Sequence, residues 1–172
     1  GEVSEEALEP DNRVVGKLRV KCERAEGLPK MDSFTKKADP YLVVTVDDAV
    51  KKTACKKKTL EPVWGEAFCF DCVAGRSQLH VEMFDQETMG KDRSMGAFSL
   101  PISATLSHQA LPFTLAGTLF DSRPSSGCVY LSLHFESPTL TPHPHSPTDP
   151  THTQAQKRTH THTHTHTHTH TH

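Results

Sequence analysis

Charged and apolar side chains alternate in the stretch Lys17-Leu18-Arg19-Val20-Lys21-Cys22-Glu23. Successive side chains of a β-strand point to opposite faces of the sheet, so Leu18, Val20 and Cys22 share one face in such a strand. The charged side chains then share the other face, in contact with water. The stretch therefore predicts a half-buried β-strand, because a helix repeats its faces every 3.6 residues and not every two.

The same two-residue period recurs along the chain as far as residue 135. Turn-forming residues such as Asp47-Asp48 and Ala74-Gly75-Arg76 separate the short apolar runs. This spacing favours two packed antiparallel sheets over strands that alternate with helices. We therefore expect an all-β fold, an eight-stranded antiparallel β-sandwich. Its strands are predicted at residues 17–23, 41–46, 50–56, 66–73, 78–84, 96–102, 110–115 and 128–135.

The apolar residues are concentrated in one part of the 172-residue chain, between Val14 and Phe135. Length and composition therefore predict one folded domain, at residues 14–137. Residues 1–13 form an acidic leader, which we expect to be disordered. Residues 138–172 form a low-complexity tail rich in Pro, Thr and His, also expected to be disordered. The strict Thr-His alternation that ends the tail favours a translated CA dinucleotide repeat over a biological metal site.

Composition also narrows the class of function and the setting. The formal net charge of −2 argues against a dedicated nucleic-acid binder. No apolar run approaches the roughly 20 residues that span a bilayer, so we expect any membrane contact to be peripheral. Five cysteines in no tight framework favour a reducing, cytoplasmic setting. The lone pair Cys69 and Cys72 has no second pair to complete a zinc site, so we expect it to be structural.

Two segments between predicted strands carry carboxylates. Asp32 and Asp39 lie in the first segment, where Pro40 keeps Asp39 extended. Asp85 and Glu87 lie in the second, two residues apart, so both can project to the same side. Calcium takes about six to eight oxygen ligands and tolerates irregular geometry, which suits carboxylates from two loops better than magnesium does. The sequence therefore predicts calcium as the metal.

The chain resembles the C2 domain family over about residues 16–136. The motifs that carry the resemblance are Gly16-Lys17-Leu18-Arg19-Val20, Gly27-Leu28-Pro29-Lys30-Met31-Asp32, Ala38-Asp39-Pro40-Tyr41, Thr59-Leu60-Glu61-Pro62-Val63-Trp64-Gly65-Glu66, and Phe84-Asp85-Gln86-Glu87 leading to Met95-Gly96. Their order is similar to the phospholipase-type variant of the family. The resemblance implies that four of the five usual calcium positions, at the end that faces the membrane, are held by Asp32, Asp39, Asp85 and Glu87.

The fifth calcium position of the family aligns with Arg93, and Asp92 lies one residue earlier. We include Asp92 among the candidate ligands because Gly90 gives the loop the backbone freedom that a small shift needs. The alternative is an ordinary acidic loop without calcium.

Apolar and cationic residues near the two segments indicate a membrane partner. Phe34 and Met89 have no core to join at the loop tips, and the cations around them are Lys36, Lys37, Lys91 and Arg93. Each cation near an anionic bilayer is worth on the order of 1 kcal/mol. Lysines are also dense in residues 51–58, which overlap the predicted strand 50–56, and the resemblance implies that Lys52 and Lys56 bind phosphoinositide headgroups.

The function expected is that of a calcium-dependent, phospholipid-binding module that targets a protein to membranes in trafficking or signalling. The alternative is a calcium-independent C2 domain that binds a protein or a phosphoinositide, which Glu87 and Arg93 favour. Catalysis is not expected, because Asp85 and Glu87 have no apolar pocket to separate their pKa values. No nucleophile elbow is present in the sequence either. The sequence identifies no protein partner.

Overall fold

The computed structural model describes residues 13–139, and these form two four-stranded antiparallel sheets. The strands are β1 (Val14–Glu26), β2 (Pro40–Val46), β3 (Ala49–Lys52), β4 (Val63–Ala74), β5 (Gln78–Asp85), β6 (Arg93–Pro101), β7 (Ser107–Thr114) and β8 (Cys128–Glu136). One sheet has the order β4-β1-β8-β7 and the other the order β3-β2-β5-β6. The predicted fold class, an eight-stranded antiparallel β-sandwich, is confirmed. Residues 13–139 contain no helix that could cross a membrane.

The core lies between the two sheets and contains the face predicted for β1. Leu18, Val20 and Cys22 are fully buried there. In the other sheet, β2 and β5 also turn alternate apolar residues inward, and all are fully or almost fully buried: Leu42, Val44, Val46, Leu79, Val81 and Met83. Burial of one such aliphatic side chain contributes about 1.5–3 kcal/mol to the free energy of unfolding. The two sheets are therefore held together by this interior, and the loops that leave them start from fixed strand ends.

The third strand is shorter than predicted, and the expectation of a strand over residues 50–56 was wrong at its C-terminal end. β3 ends at Lys52. The next residue, Thr53, is buried, and its side-chain oxygen accepts a hydrogen bond from the backbone N–H of Leu42 at 2.9 Å. The backbone N–H of Ala54 then donates to the Glu66 carboxylate. Beyond Lys52 side-chain acceptors join the backbone bonds from Thr53 to Leu42 and from Lys56 to Pro40, and the regular strand does not continue to Lys56.

Four connections meet at one end of the sandwich, which we call the loop end. These are the β1–β2 loop (residues 27–39), the β3–β4 connection (53–62), the β5–β6 loop (86–92) and the β7–β8 loop (115–127). The backbone N–H of Gln86 donates to the Asp39 carbonyl at 2.9 Å, and that of Thr59 donates to the Ala38 carbonyl at 2.9 Å. The predicted leader (1–13) and tail (138–172) lie outside the described residues except for Arg13, Pro138 and Thr139, so they stay predictions.

Gly127 packs against the start of the β1–β2 loop and permits no side chain. A Cβ on Gly127 would lie 2.6 Å from the carbonyl oxygen of Glu26, and its φ is 92°. We expect Gly127→Ala to lower the free energy of unfolding by ~1–3 kcal/mol, measured by urea denaturation. The control is Gly65→Ala, where φ is 66° but no atom lies within 4 Å of the new Cβ. An equal loss in both variants would contradict the close contact.

Candidate functional site

A cleft of about 550 Å³ opens at the loop end. It is bordered by the β1–β2, β5–β6 and β7–β8 loops. Four of the predicted acidic residues line it, and we call it the acidic cleft: Asp32, Asp39, Asp85 and Glu87. The structure therefore brings together the two acidic segments, which are separated by almost fifty residues in the sequence.

Asp85 is the buried carboxylate of the acidic cleft, with 5 % of its surface exposed. Residues Pro40 and Asp85 are paired across β2 and β5, and Asp85 Oδ1 accepts a hydrogen bond from the Asp39 backbone N–H at 2.7 Å. Burial raises the pKa of Asp85, and the negative charges of Glu87 and Asp39 raise it further. The hydrogen bond from the Asp39 backbone lowers the pKa, but by less. A cation placed here would relieve the crowding of negative charge.

Asp32 lies at the outer edge of the acidic cleft and is held by its own loop. Its Oδ1 accepts a hydrogen bond from the Phe34 backbone N–H at 2.8 Å, and its Oδ2 accepts one from Thr35 Oγ1 at 2.9 Å. These two bonds hold the pKa of Asp32 below its usual value. The carboxylate is therefore charged at neutral pH.

Two cations of the chain already contact the cleft carboxylates. Arg93 Nε lies 3.0 Å from Glu87 Oε1, and its guanidinium stacks 4.2 Å from the centre of the Phe120 ring. Lys57 Nζ lies 3.4 Å from Asp39 Oδ2 and also donates to the side chain of Gln86. Arg93 therefore belongs to the cleft, and its contact with a membrane stays a prediction.

The carboxylates fit calcium by chemistry, but their present spacing is not that of a formed metal site. All four supply oxygen donors, which calcium prefers. Within residues 13–139, no group of three or more His, Cys, Asp or Glu side chains is close enough to hold a metal ion. The residues that could hold calcium are the four carboxylates of the acidic cleft, two of which are paired with cations: Glu87 with Arg93 and Asp39 with Lys57.

Asp92 does not line the acidic cleft, although its carboxylate contacts the backbone of Glu87. One Asp92 oxygen accepts a hydrogen bond from the Tyr41 hydroxyl, and the other accepts one from the Glu87 backbone N–H at 3.0 Å. The Tyr41 bond is the main cause that holds the pKa of Asp92 below its usual value. Burial, reinforced by this bond, raises the pKa of Tyr41 to about 12. Asp92 thus braces the β5–β6 loop from outside the acidic cleft.

Three apolar side chains are exposed at the loop end. Phe34 is 97 % exposed and Met89 is 88 % exposed, each in one of the two acidic loops, as the sequence predicts. Phe120 is 56 % exposed in the β7–β8 loop, lines the acidic cleft, and was missed by sequence reasoning. The available signal was an aromatic residue in a stretch rich in turn residues, from Gly117 to Gly127.

A family model described as the C2 domain matches residues 16–115, more than half of the chain. The chain belongs to the C2 domain family. This C2 domain is 36 % identical over 94 residues to the E3 ubiquitin-protein ligase RSP5 of Saccharomyces cerevisiae, a match that covers 53 % of this chain and 12 % of the ligase. It is 36 % identical over 107 residues to Synaptotagmin-4 of Arabidopsis thaliana, a match that covers 60 % of this chain and 18 % of that protein. The chain thus matches less than a fifth of either relative.

A solved structure gives the same fold. A C2 domain of plant Extended Synaptotagmin 1 superposes with a TM-score of 0.57 and 26 % identity. The match covers 72 % of this chain and 96 % of that one.

The two lysines predicted to bind phosphoinositide do not share a strand in this C2 domain. Lys52 is the last residue of β3 and is exposed. Lys56 follows in the β3–β4 connection, is partly buried, and its backbone N–H donates to the Pro40 carbonyl at 3.0 Å. The expectation that one strand carries both Lys52 and Lys56 was therefore wrong. Whether Lys52 and Lys56 contact a headgroup stays a prediction.

Proposed function

We propose that this C2 domain docks on anionic phospholipid membranes in a calcium-dependent manner, as a peripheral cytoplasmic module of membrane trafficking or signalling. The observation that carries the proposal is the joint placement of four carboxylates in one cleft beside exposed apolar tips. The carboxylates are oxygen donors for calcium, and the tips Phe34 and Met89 have no core to join. Each feature alone is ordinary, but together they suit a surface that needs both calcium and lipid.

The charge of the acidic cleft supports a switch. Asp32 and Asp85 have no ion-pair partner within residues 13–139. A cleft with uncompensated carboxylates repels anionic lipid. Calcium, when bound, supplies positive charge and coordination positions that phosphate oxygens of lipid can complete. The carboxylates would hold the ion at the loop end, next to the lipid.

The exposed tips and lysines supply the remaining contacts. Phe34 and Met89 would enter the headgroup boundary, where burial of apolar surface contributes about 25 cal/mol per Å². Lys36, Lys37 and Lys91 are exposed and have no ion-pair partner in the described part of the chain. Each would add on the order of 1 kcal/mol near an anionic bilayer.

Cosedimentation with vesicles of phosphatidylserine and phosphatidylcholine tests the proposal. We expect binding with calcium to exceed binding with a chelator by about tenfold or more, because neutralising two carboxylates at about 1 kcal/mol each has that effect. Vesicles of phosphatidylcholine alone are the control and should bind little under both conditions. Absence of binding to the anionic vesicles with calcium present would overturn the docking function.

A second candidate is a calcium-independent C2 domain that binds a phosphoinositide or a protein. The ion pair between Arg93 and Glu87 favours it, because an internal cation already occupies part of the acidic cleft. Equal binding of anionic vesicles with calcium and with chelator would support this candidate over the first. If the lysine-rich segment recognises the headgroup, replacing Lys52 and Lys56 with Gln should lower binding to phosphoinositide vesicles in that case.

A further inference from the structure

A second groove, of about 500 Å³, lies beside the acidic cleft between the β1–β2 loop and the β3–β4 connection. We call it the basic groove, because three lysines line it: Lys36, Lys37 and Lys58. Leu28 and Leu60 also line it. Lys37 and Lys58 border the acidic cleft as well, so they form the wall between the two.

Backbone hydrogen bonds fix the walls of the basic groove. The Lys58 backbone N–H donates to Asp39 Oδ1 at 2.7 Å, and this bond joins the β3–β4 connection to the β1–β2 loop. The Lys37 carbonyl accepts hydrogen bonds from the backbone N–H groups of Met31 and Asp32, at 3.2 and 3.1 Å. The Lys36 backbone N–H donates to the Asp32 carbonyl at 3.0 Å. The lysines therefore project from a preformed frame.

Two of these lysines adopt a backbone conformation that L-residues disfavour. The φ angles of Lys36 and Lys58 are both 54°, in the left-handed region where Gly or Asn is the usual residue. Strained residues of this kind concentrate at ligand sites. Here both line one groove, on two different connections.

The ammonium groups of the basic groove have no internal partner. No carboxylate of residues 13–139 lies within 4.0 Å of the side-chain nitrogen of Lys36, Lys37 or Lys58, whereas the neighbouring Lys57 pairs with Asp39. One acidic residue, Glu61, lines the groove too. Three cations and one anion leave the groove positively charged, so its complement is an anion.

We propose that the basic groove binds the phosphate of an anionic phospholipid headgroup, without calcium. The inference rests on the proposed docking function, because the membrane supplies the ligand. Lysine ammonium groups make charge-assisted hydrogen bonds to phosphate oxygens, and Lys36 lies two residues from the exposed tip Phe34. The groove is distinct from Lys52 and Lys56, which do not line it. The domain then holds lipid by two adjacent sites, of which one needs calcium.

The test is binding to vesicles of phosphatidylserine and phosphatidylcholine in the presence of a chelator. Lys36→Asn/Lys58→Asn removes two charges but suits the left-handed backbone, so thermal stability should stay the same or rise. We expect this variant to lose about tenfold in calcium-free binding. The control Lys30→Gln/Arg123→Gln removes two exposed cations at the same end but outside the groove, and should lose much less. Glu61→Gln should strengthen calcium-free binding.

The failures of the two proposals are distinguishable. If the unmodified chain binds anionic vesicles only with calcium, the inference is overturned and the docking function stands. Equal losses in the two double variants would overturn the groove, because general attraction to loop-end cations would then explain the binding. Inorganic phosphate should release the chain from the vesicles more effectively than chloride of equal ionic strength, because free phosphate competes for the same lysines; equal release by the two salts would overturn the inference.

Discussion

Asp39→Asn/Asp85→Asn is expected to abolish the calcium-dependent part of vesicle binding. The variant removes two of the four carboxylates that line the acidic cleft. Calcium affinity depends strongly on the number of charged ligands, so we expect the calcium concentration at half-maximal binding to rise about a hundredfold or more. The measurement is a calcium titration of cosedimentation with phosphatidylserine-containing vesicles.

The folded state should survive this double substitution. The amide side chain introduced at position 85 would keep a carbonyl oxygen to accept the hydrogen bond from the backbone N–H of residue 39. The pKa of Asp85 is raised in the fold, so folding favours its protonated form. The free energy of unfolding therefore falls as the pH rises from the usual pKa of an aspartate to the raised pKa of Asp85. A neutral amide removes that penalty at neutral pH. Thermal unfolding should therefore show little loss.

A matched control removes two carboxylates at the opposite end of the sandwich. Asp48 lies in the β2–β3 turn, and Asp71 lies on β4 in an exposed pair with Lys17. Asp48→Asn/Asp71→Asn changes the net charge by the same amount and should leave the calcium titration unchanged. If the cleft variant also behaves like the unmodified chain, these carboxylates are not the calcium ligands.

The sequence predicted the parts of the fold that depend on periodicity. Alternation placed Leu18, Val20 and Cys22 on one face, and all three are buried. The two acidic segments were expected to share one calcium site, at the end of the fold that the C2 resemblance implies. The pairing of Pro40 with Asp85 across β2 and β5 brings the two segments together. Features set by strand pairing were thus accessible from local patterns.

Features set by single side chains were not accessible in the same way. Position in the loop suggested that Asp92 could reach a metal, but the hydroxyl of Tyr41, on a different strand, holds its carboxylate outside the cleft. Alternation suggested a strand as far as Lys56, but β3 ends at Lys52, where the buried Thr53 side chain takes over the hydrogen bond from the Leu42 N–H. Phe120 lies in an irregular loop, where no period marks which residues face a site. Each case depends on a contact between distant parts of the chain.

Arg93 connects the two candidate functions, because its guanidinium pairs with Glu87, one of the proposed calcium ligands. Phe120 stacks on this guanidinium, so an exposed tip residue also contributes to its position. Under the proposed function, calcium would therefore compete with an internal ion pair and an aromatic contact. This competition predicts a calcium affinity that can be raised by substitution at one residue.

Arg93→Gln is expected to lower the calcium concentration at half-maximal vesicle binding by about tenfold, which corresponds to about 1.4 kcal/mol. The substitution removes the cation that pairs with Glu87 and keeps a polar side chain of similar length. Arg93→Asp should lower the concentration further, because it places a carboxylate at the fifth calcium position of the family. The control is Arg123→Gln, which breaks a pair with Asp121 at the loop end but outside the acidic cleft.

The direction of the change separates three roles for Arg93. A lower calcium midpoint in both variants means that Arg93 competes with calcium. Weaker vesicle binding at every calcium concentration, with an unchanged midpoint, means that Arg93 contacts lipid directly, as the sequence suggested. The unmodified chain could instead bind vesicles equally with and without calcium, while Arg93→Asp binds only with calcium. That result means that Arg93 is what makes the domain calcium-independent. The ion pair of 3.0 Å with Glu87 favours the first of these results.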